Sequence, residues 1–271
     1  MSCARLSTCL RPAASAAGSD GYESPNLWKG ARDADQAGQA SSDWRAFRAA
    51  LVAQEAGVAA AADVREAKRG AAEGWVHPIS LPERGCLLLA RQPDMGPAFT
   101  DAVIFLLEHD ATSSAGLVLN VPLGLRLRDV GLQDEVAGKF RQQALYRGGP
   151  VSDSHLHILH GHPMPEAYEI IDGVYMGGLA QANALVLTGQ AAPEDFKLLA
   201  GYAGWGSGQL EAEVKQGSWW LVAAAPSVIS AAVRGSLLKD VGDKRRSIWQ
   251  DIMLRAGLAG SATQPYSDYA P

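Results

Sequence analysis

From residue 75 onward the chain is written in short apolar runs broken by glycine, proline and aspartate, which is the grammar of strands. Runs at 86–91, 102–108 and 115–120 open the series, and 145–146, 156–159, 198–202 and 218–223 continue it. Residues 169–175 read as two strands joined at Asp172-Gly173, a hairpin signal. Three helices are expected here, two of them on a period near 3.6. Leu179, Ala182 and Val186 share a face of a helix expected over 178–187, and a second helix is expected over 206–216. The third is expected over 244–255, with Ile248, Trp249, Ile252 and Met253 on one side and Gly257 as its stop. Strands outnumber helices without regular alternation, so the pattern predicts an α+β domain rather than a doubly wound sheet.

Upstream, Trp44, Phe47 and Leu51 fall at i, i+3 and i+7 behind Ser42 or Asp43 as a cap, and alanine-rich sequence continues to Arg69. This predicts an accessory helical arm over 43–74 whose narrow apolar stripe packs on the main domain at 75–271.

Charge marks the same boundary. The formal net charge is −5. Residues 1–74 hold 9 basic and 9 acidic side chains, while 75–271 hold 15 and 20, which places the whole −5 in the second part. An acidic domain without a basic face or a helix-turn-helix pattern argues against general nucleic-acid binding. Residues 1–19 contain Arg5 and Arg11, abundant Ala and Ser, no acid and no continuous apolar stretch. That composition resembles an organelle transit peptide rather than a secretory signal. Residues 1–42 are therefore expected to be transit peptide and linker, directing the protein to a chloroplast or alternatively a mitochondrion. Cys3 and Cys9 fall inside that segment, so Cys86 remains alone in an apolar run, as a buried small hydrophobe without an internal disulfide partner. The uncharged stretches 173–193 and 218–233 carry polar residues, glycines or Pro226, and neither predicts a spanning helix. The main domain is expected to be soluble.

Chemistry-bearing residues gather in a few clusters. His155 and His157 would lie on one face of a strand, a geometry open to a transition metal. No spacing matches a metal motif, and outward-facing histidines opposite Leu156 and Ile158 explain the pattern without an ion. Glu108-His109-Asp110 ends a strand with groups suited to acid–base work, or to ordinary solvated polarity. The stretch 204–211 is a glycine-rich loop before a helix, where amides can hold an anion. Its order fits neither a dinucleotide fingerprint nor a phosphate loop, and glycines there equally permit tight turns beside Trp205. Lys244-Arg245-Arg246 reads as a solvated helix start.

Several motifs together resemble the AlgH/YqgE family: residues 85–90, 102–110 and 116–120, the Arg147-Gly-Gly-Pro-Val151 turn, and the segment 201–211. Order and spacing match over roughly residues 85–256. The chain has Val121 where the family commonly has Arg, and Ser207 where it commonly has Pro. The resemblance implies a mixed sheet folded into a pseudo-barrel with flanking helices, and it implies no agreed reaction. Read together, motifs and clusters nominate Glu108, His109, Asn120, Arg147, Gly148, Gly149, Trp205, Gly206, Gly208 and Gln209 as candidate binding residues. The function expected is a non-catalytic binding or regulatory module in an organelle, without cofactor, engaging a protein or small ligand. The alternatives are an enzyme with its site around 147–150 and the Trp205 loop, or a transcriptional regulator.

Overall fold

The computed structural model describes residues 41–55, 74–91, 99–132, 137–235, 240–241, 244–245 and 247–259. Segment 1–40, most of the expected arm beyond residue 55, and Arg246 lie outside the described residues.

The predicted runs become strands. β1 (Val76–Pro78), β2 (Leu87–Ala90), β3 (Val103–His109) and β4 (Ser113–Val118) come first, then β5 (Pro122–Arg126), β6 (Ala144–Arg147) and β7 (Val151–His160). β8 (Ala167–Ile171) and β9 (Val174–Gly177) flank the Asp172-Gly173 turn, and β10 (Lys197–Gly206) and β11 (Trp219–Ala224) follow. Eleven strands form one sheet in the order β1-β11-β2-β3-β4-β10-β7-β9-β8, with β6 also paired to β10 and β5 paired to β6. Only the β6–β10 pair is parallel. The domain is α+β with a mixed sheet, as expected. The sheet is not closed, since β1 and β8 end the path and do not pair with each other, so the pseudo-barrel is not confirmed.

Continuous apolar runs have a simple cause here. Leu87, Leu89, Val103, Phe105, Leu117 and Leu119 face one buried cluster, while Cys86, Leu88, Ala90, Ile104, Leu106 and Val118 face another. Both faces of β2–β4 are covered, so alternation has no polar side to show. A third cluster unites Leu127, Phe140, Leu145, Ile158, Phe196 and Leu198. Cys86 is fully buried, and burial pushes its thiol up to about 12, the behaviour of a packing residue rather than a nucleophile.

Five helices are described: α1 (Ser41–Glu55), α2 (Leu179–Leu187), α3 (Gln209–Lys215), α4 (Pro226–Val233) and α5 (Ile248–Arg255). Four differ from the sequence reading, α3 by starting at Gln209 rather than 206. α1 buries Arg45 and Ala49, leaving Trp44, Phe47 and Leu51 about half exposed. Its docking is polar: Arg45 Nη2 donates to the Gly85 carbonyl at 2.8 Å, and Arg48 pairs with Glu83 and reaches His77. A fixed carboxylate and an open carbonyl on the domain win the arginine face, against the apolar stripe the spacing favoured. α5 begins at Ile248, not residue 244, because Ser247 caps it by accepting from Gln250 N at 3.2 Å. Lys244–Arg245 instead pair with Asp240–Val241 in a two-stranded ribbon, β12–β13. α4 was hidden in an uncharged run; Pro226 occupies its first turn, and Val228, Ile229, Ala232 and Val233 are all buried.

No described helix is long and apolar enough to cross a membrane.

Candidate functional site

The nominated residues occupy distinct parts of the sheet, and one joint accounts for several of them. β10 is bulged between Ala200 and Tyr202, at Gly201, whose φ is +72°. The Arg147–Gly149 turn lies directly on that bulge. Gly148 N donates to the Ala200 carbonyl at 2.7 Å, Val118 N to the Gly148 carbonyl at 2.7 Å, and Arg147 N to the Val121 carbonyl at 2.8 Å. A Cβ on Gly148 would stand 2.0 Å from the Gly201 oxygen, and one on Gly149 2.0 Å from the Tyr202 carbonyl carbon. Two glycine motifs separated by about 50 residues are thus one backbone crossing. Asn120 staples the same end of the sheet, accepting from Val103 N at 2.9 Å and donating to the Asp101 carbonyl at 2.7 Å.

Trp205 sits four residues beyond the joint, roughly 13 Å along the strand. It is 6% exposed. Its Nε1 donates to Glu213 Oε2 at 2.9 Å, and Trp219 Nε1 donates to the same oxygen at 2.8 Å. Gln209 Nε2 donates to the other carboxylate oxygen at 2.9 Å, while Gln209 Oε1 accepts from Gly206 N at 3.1 Å. Gly208, with φ +69°, caps the short helix α3, which delays the helix beyond the expected start at 206. In the loop that looked suited to an anion, Gly206 N is already taken by Gln209 Oε1.

Glu108 and His109 point different ways. His109 Nδ1 lies 2.8 Å from Ser114 Oγ, and its Nε2 lies 3.7 Å from Glu211 Oε1. Register places His109, Ser114 and Trp205 side by side on β3, β4 and β10. A serine, histidine and carboxylate in that order are the parts of a nucleophile, base and orienting acid. Ser114 is only 4% exposed, however, and 3.7 Å exceeds a hydrogen bond, so no nucleophile faces a substrate. Glu108 is held neutral to higher pH than usual by burial, with Arg84 opposing the effect.

His157 corrects the outward-facing reading of the β7 histidines, while His155 is half-buried. His157 is buried, 4% exposed, with its ring edge-on to Tyr202. β7 lies between Ile158 and its neighbours on one face and Leu159 on the other, so its residues 157–160 have no outward side. Among the described residues, no group of three or more His, Cys, Asp or Glu could hold a metal ion.

Buried ionisable groups give a pH signature. Burial lowers His77, His157 and His160 from the ordinary 6.5 to about 4. Lys197, 4% exposed, is lowered from 10.5 to about 8 by burial; its Nζ lies 3.9 Å above the Tyr146 ring and 3.4 Å from the Ala232 and Val233 carbonyls ending α4. In each case the unfolded chain binds the proton more readily than the folded one, so stability rises with pH between the folded and unfolded values. Urea midpoints should therefore fall as pH drops from about 6.5 to 4, each histidine shifting the equilibrium by at most roughly tenfold per pH unit. They should climb from about 8 to 10.5, through Lys197. A midpoint flat from pH 7 to 4 would contradict the burial of these rings.

A ligand-sized concavity lies elsewhere among the described residues, in a region the sequence reading did not nominate. An open cleft of about 510 Å³ is floored by Pro122, Leu125, Leu145 and Pro193 and rimmed by Arg126, Lys139, Gln142 and Glu194. β5 and β6 form its base, with a register shift between Pro122 and Leu125. Two 3-10 turns, Gly138–Phe140 and Pro193–Asp195, supply Lys139 and Glu194. The signal was present: Leu123 and Leu125 alternate with Gly124 and Arg126, the pattern of a short strand.

Fold and cleft together define the class: an α+β domain on one open, mixed sheet, with a concavity on a hairpin that branches from the main strand order. The chain belongs to the AlgH-like family, whose model matches residues 87–260. A UPF0301 protein of Chlorobium luteolum is 35% identical over 149 residues, 54% of this chain and 76% of that one. Another UPF0301 protein, from Chlamydia abortus, is 34% identical over 178 residues, 63% of this chain and 93% of that one. A crystal structure of a Corynebacterium diphtheriae protein aligns with a TM-score of 0.51 at 23% identity, covering 68% of this chain and 93% of that one, a likeness of fold alone.

Proposed function

We propose that the domain is a non-catalytic binding module and that its binding surface is the β5–β6 cleft. One observation carries this reading: the groups able to do chemistry and the space able to hold a ligand do not coincide. Catalysis needs a nucleophile or acid–base pair within reach of a bound substrate. His109, Ser114 and Glu211 line no part of the cleft, and the cleft's rim offers Arg126, Lys139, Gln142 and Glu194 without histidine, cysteine or serine. Such a rim recognises and orients.

Native mass spectrometry of the purified chain after incubation with a plastid metabolite extract tests the reading. Recovery of a bound small molecule, chemically unchanged, is the expected result. Steady conversion of any extract component, abolished by His109→Ala, would replace it with an enzyme. Import into a plastid belongs to the same proposal, supported by the acid-free, Arg-bearing composition of residues 1–19. A fluorescent fusion to residues 1–74 should enter the organelle, and an even cytosolic signal would remove that part.

A further inference from the structure

We infer that the cleft takes an amphipathic organic anion, one carboxylate or phosphate group on an apolar body; this rests on the binding reading above. The cleft is two-sided in chemistry. Its apolar lining is Pro122, Leu125 and Pro193 over the buried Leu145, beside the polar lining of Arg126, Lys139, Gln142, Gln143 and Glu194. Its rim carries two permanent cations, Arg126 and Lys139, against one acid, Glu194. About 510 Å³ falls within the range of sites for small organic ligands, and far exceeds what an inorganic ion needs.

The cations are placed for an outside acceptor. Arg126 Nη1 donates to the Gln142 carbonyl at 2.6 Å, which fixes the guanidinium at the rim, and Arg126 N is held by Asp129 Oδ2 at 2.8 Å. Its remaining guanidinium hydrogens meet no protein acceptor among the described residues. The Lys139 ammonium likewise has no described partner, although Lys139 N is anchored to Asn183 Oδ1 at 2.8 Å. Several other arginines are paired with acids instead: Arg45 and Arg48 with Glu83, and Arg255 with Asp251. A planar guanidinium held through one Nη and an ammonium lining the same cleft suit a carboxylate or phosphate, bound by charge-assisted hydrogen bonds. The apolar floor then selects ligands that carry a hydrocarbon or ring portion, because an ion alone would leave that surface wet.

The probe is 8-anilinonaphthalene-1-sulfonate, an anion on an aromatic body, titrated by fluorescence into the full chain at low ionic strength. Saturable one-to-one binding is expected, with amide shifts centred on Gly124, Lys139 and Gln142. Octanoate and octyl phosphate should both displace it, their relative strength separating carboxylate from phosphate as the preferred group; inorganic phosphate should displace it far less. Arg126→Gln with Lys139→Gln should weaken binding by about tenfold or more. Glu194→Gln should tighten it, since a repelling carboxylate is removed. If the double variant does not fold, the sign of the Glu194→Gln effect decides alone. Binding indifferent to both changes, or shifts mapped elsewhere, would overturn the assignment while leaving a binding module with another site. An unchanged metabolite captured by native mass spectrometry, with no probe binding, would do the same. No probe binding together with conversion of an extract component would instead defeat the module itself.

Discussion

Gly149→Ala should leave little folded protein, or a domain melting roughly 6–12 °C lower, corresponding to a loss of at least about 3 kcal/mol. The magnitude follows from what the added methyl meets. It would lie 2.0 Å from the carbonyl carbon of Tyr202, 2.2 Å from its oxygen and 2.3 Å from Ala203 N. Those are main-chain atoms of a strand hydrogen-bonded on both flanks, to β4 and β7, so no side chain can rotate aside. Gly148→Ala repeats the collision against the Gly201 oxygen. The effect separates scaffold from site, because a glycine kept for ligand approach would lose binding with its stability intact. Thermal melts of both variants beside the unsubstituted chain are the measurement. A melting point within 2 °C of the parent for Gly149→Ala, roughly the effect of 0.5–1 kcal/mol in a domain this size, would show that the crossing is looser than drawn.

Trp205→Ala is expected to cost about 3–5 kcal/mol, which is roughly 6–20 °C. It empties a space between Trp219, edge-on at 6.2 Å between ring centres, and the cluster around Leu88, Ile104 and Leu210. It also removes one of the three N–H donors on the Glu213 carboxylate. Trp205→Phe isolates the second term: most bulk stays, the indole donor goes, and the loss should be about 1.5–3 kcal/mol. Gly206→Ala should change nothing beyond about 0.5 kcal/mol, since its φ lies outside the left-handed region and only Gln209 Oε1, at 4.0 Å, approaches a Cβ there. The three melts are read together. A stable Trp205→Ala would move the tryptophan from scaffold to exposed recognition residue.

Much of this architecture was legible in advance. Runs such as 86–91 and 102–108 announced strands because β-branched and aliphatic residues between glycine and proline have few other uses. Asp172-Gly173 fixed a hairpin by turn chemistry alone. The strand β5 was not anticipated, although Leu123 and Leu125 alternate with Gly124 and Arg126 within it. Boundaries shifted where caps compete: Ser247 and Gly208 start their helices later than the periodicity suggested. On α1, periodicity selected Trp44, Phe47 and Leu51 as the packing face, and long-range charge overruled it, because Glu83 is distant in sequence and adjacent in space.

By itself, then, the sequence determined the α+β class, the burial of Cys86 and the motifs that place the chain in its family, since these depend on residue type and near-neighbour spacing. Tertiary structure decided the rest. Only the folding of β10 onto the 147–149 turn turned two separate glycine motifs into one crossing, and only the two-sided burial of β7 made His157 a core residue. The cleft is likewise assembled from residues 122–126, 139–145 and 193–194, brought together by two turns whose approach no local pattern records. Cavities and buried charges are properties of segments meeting across the chain, and a linear pattern carries the segments without their meeting.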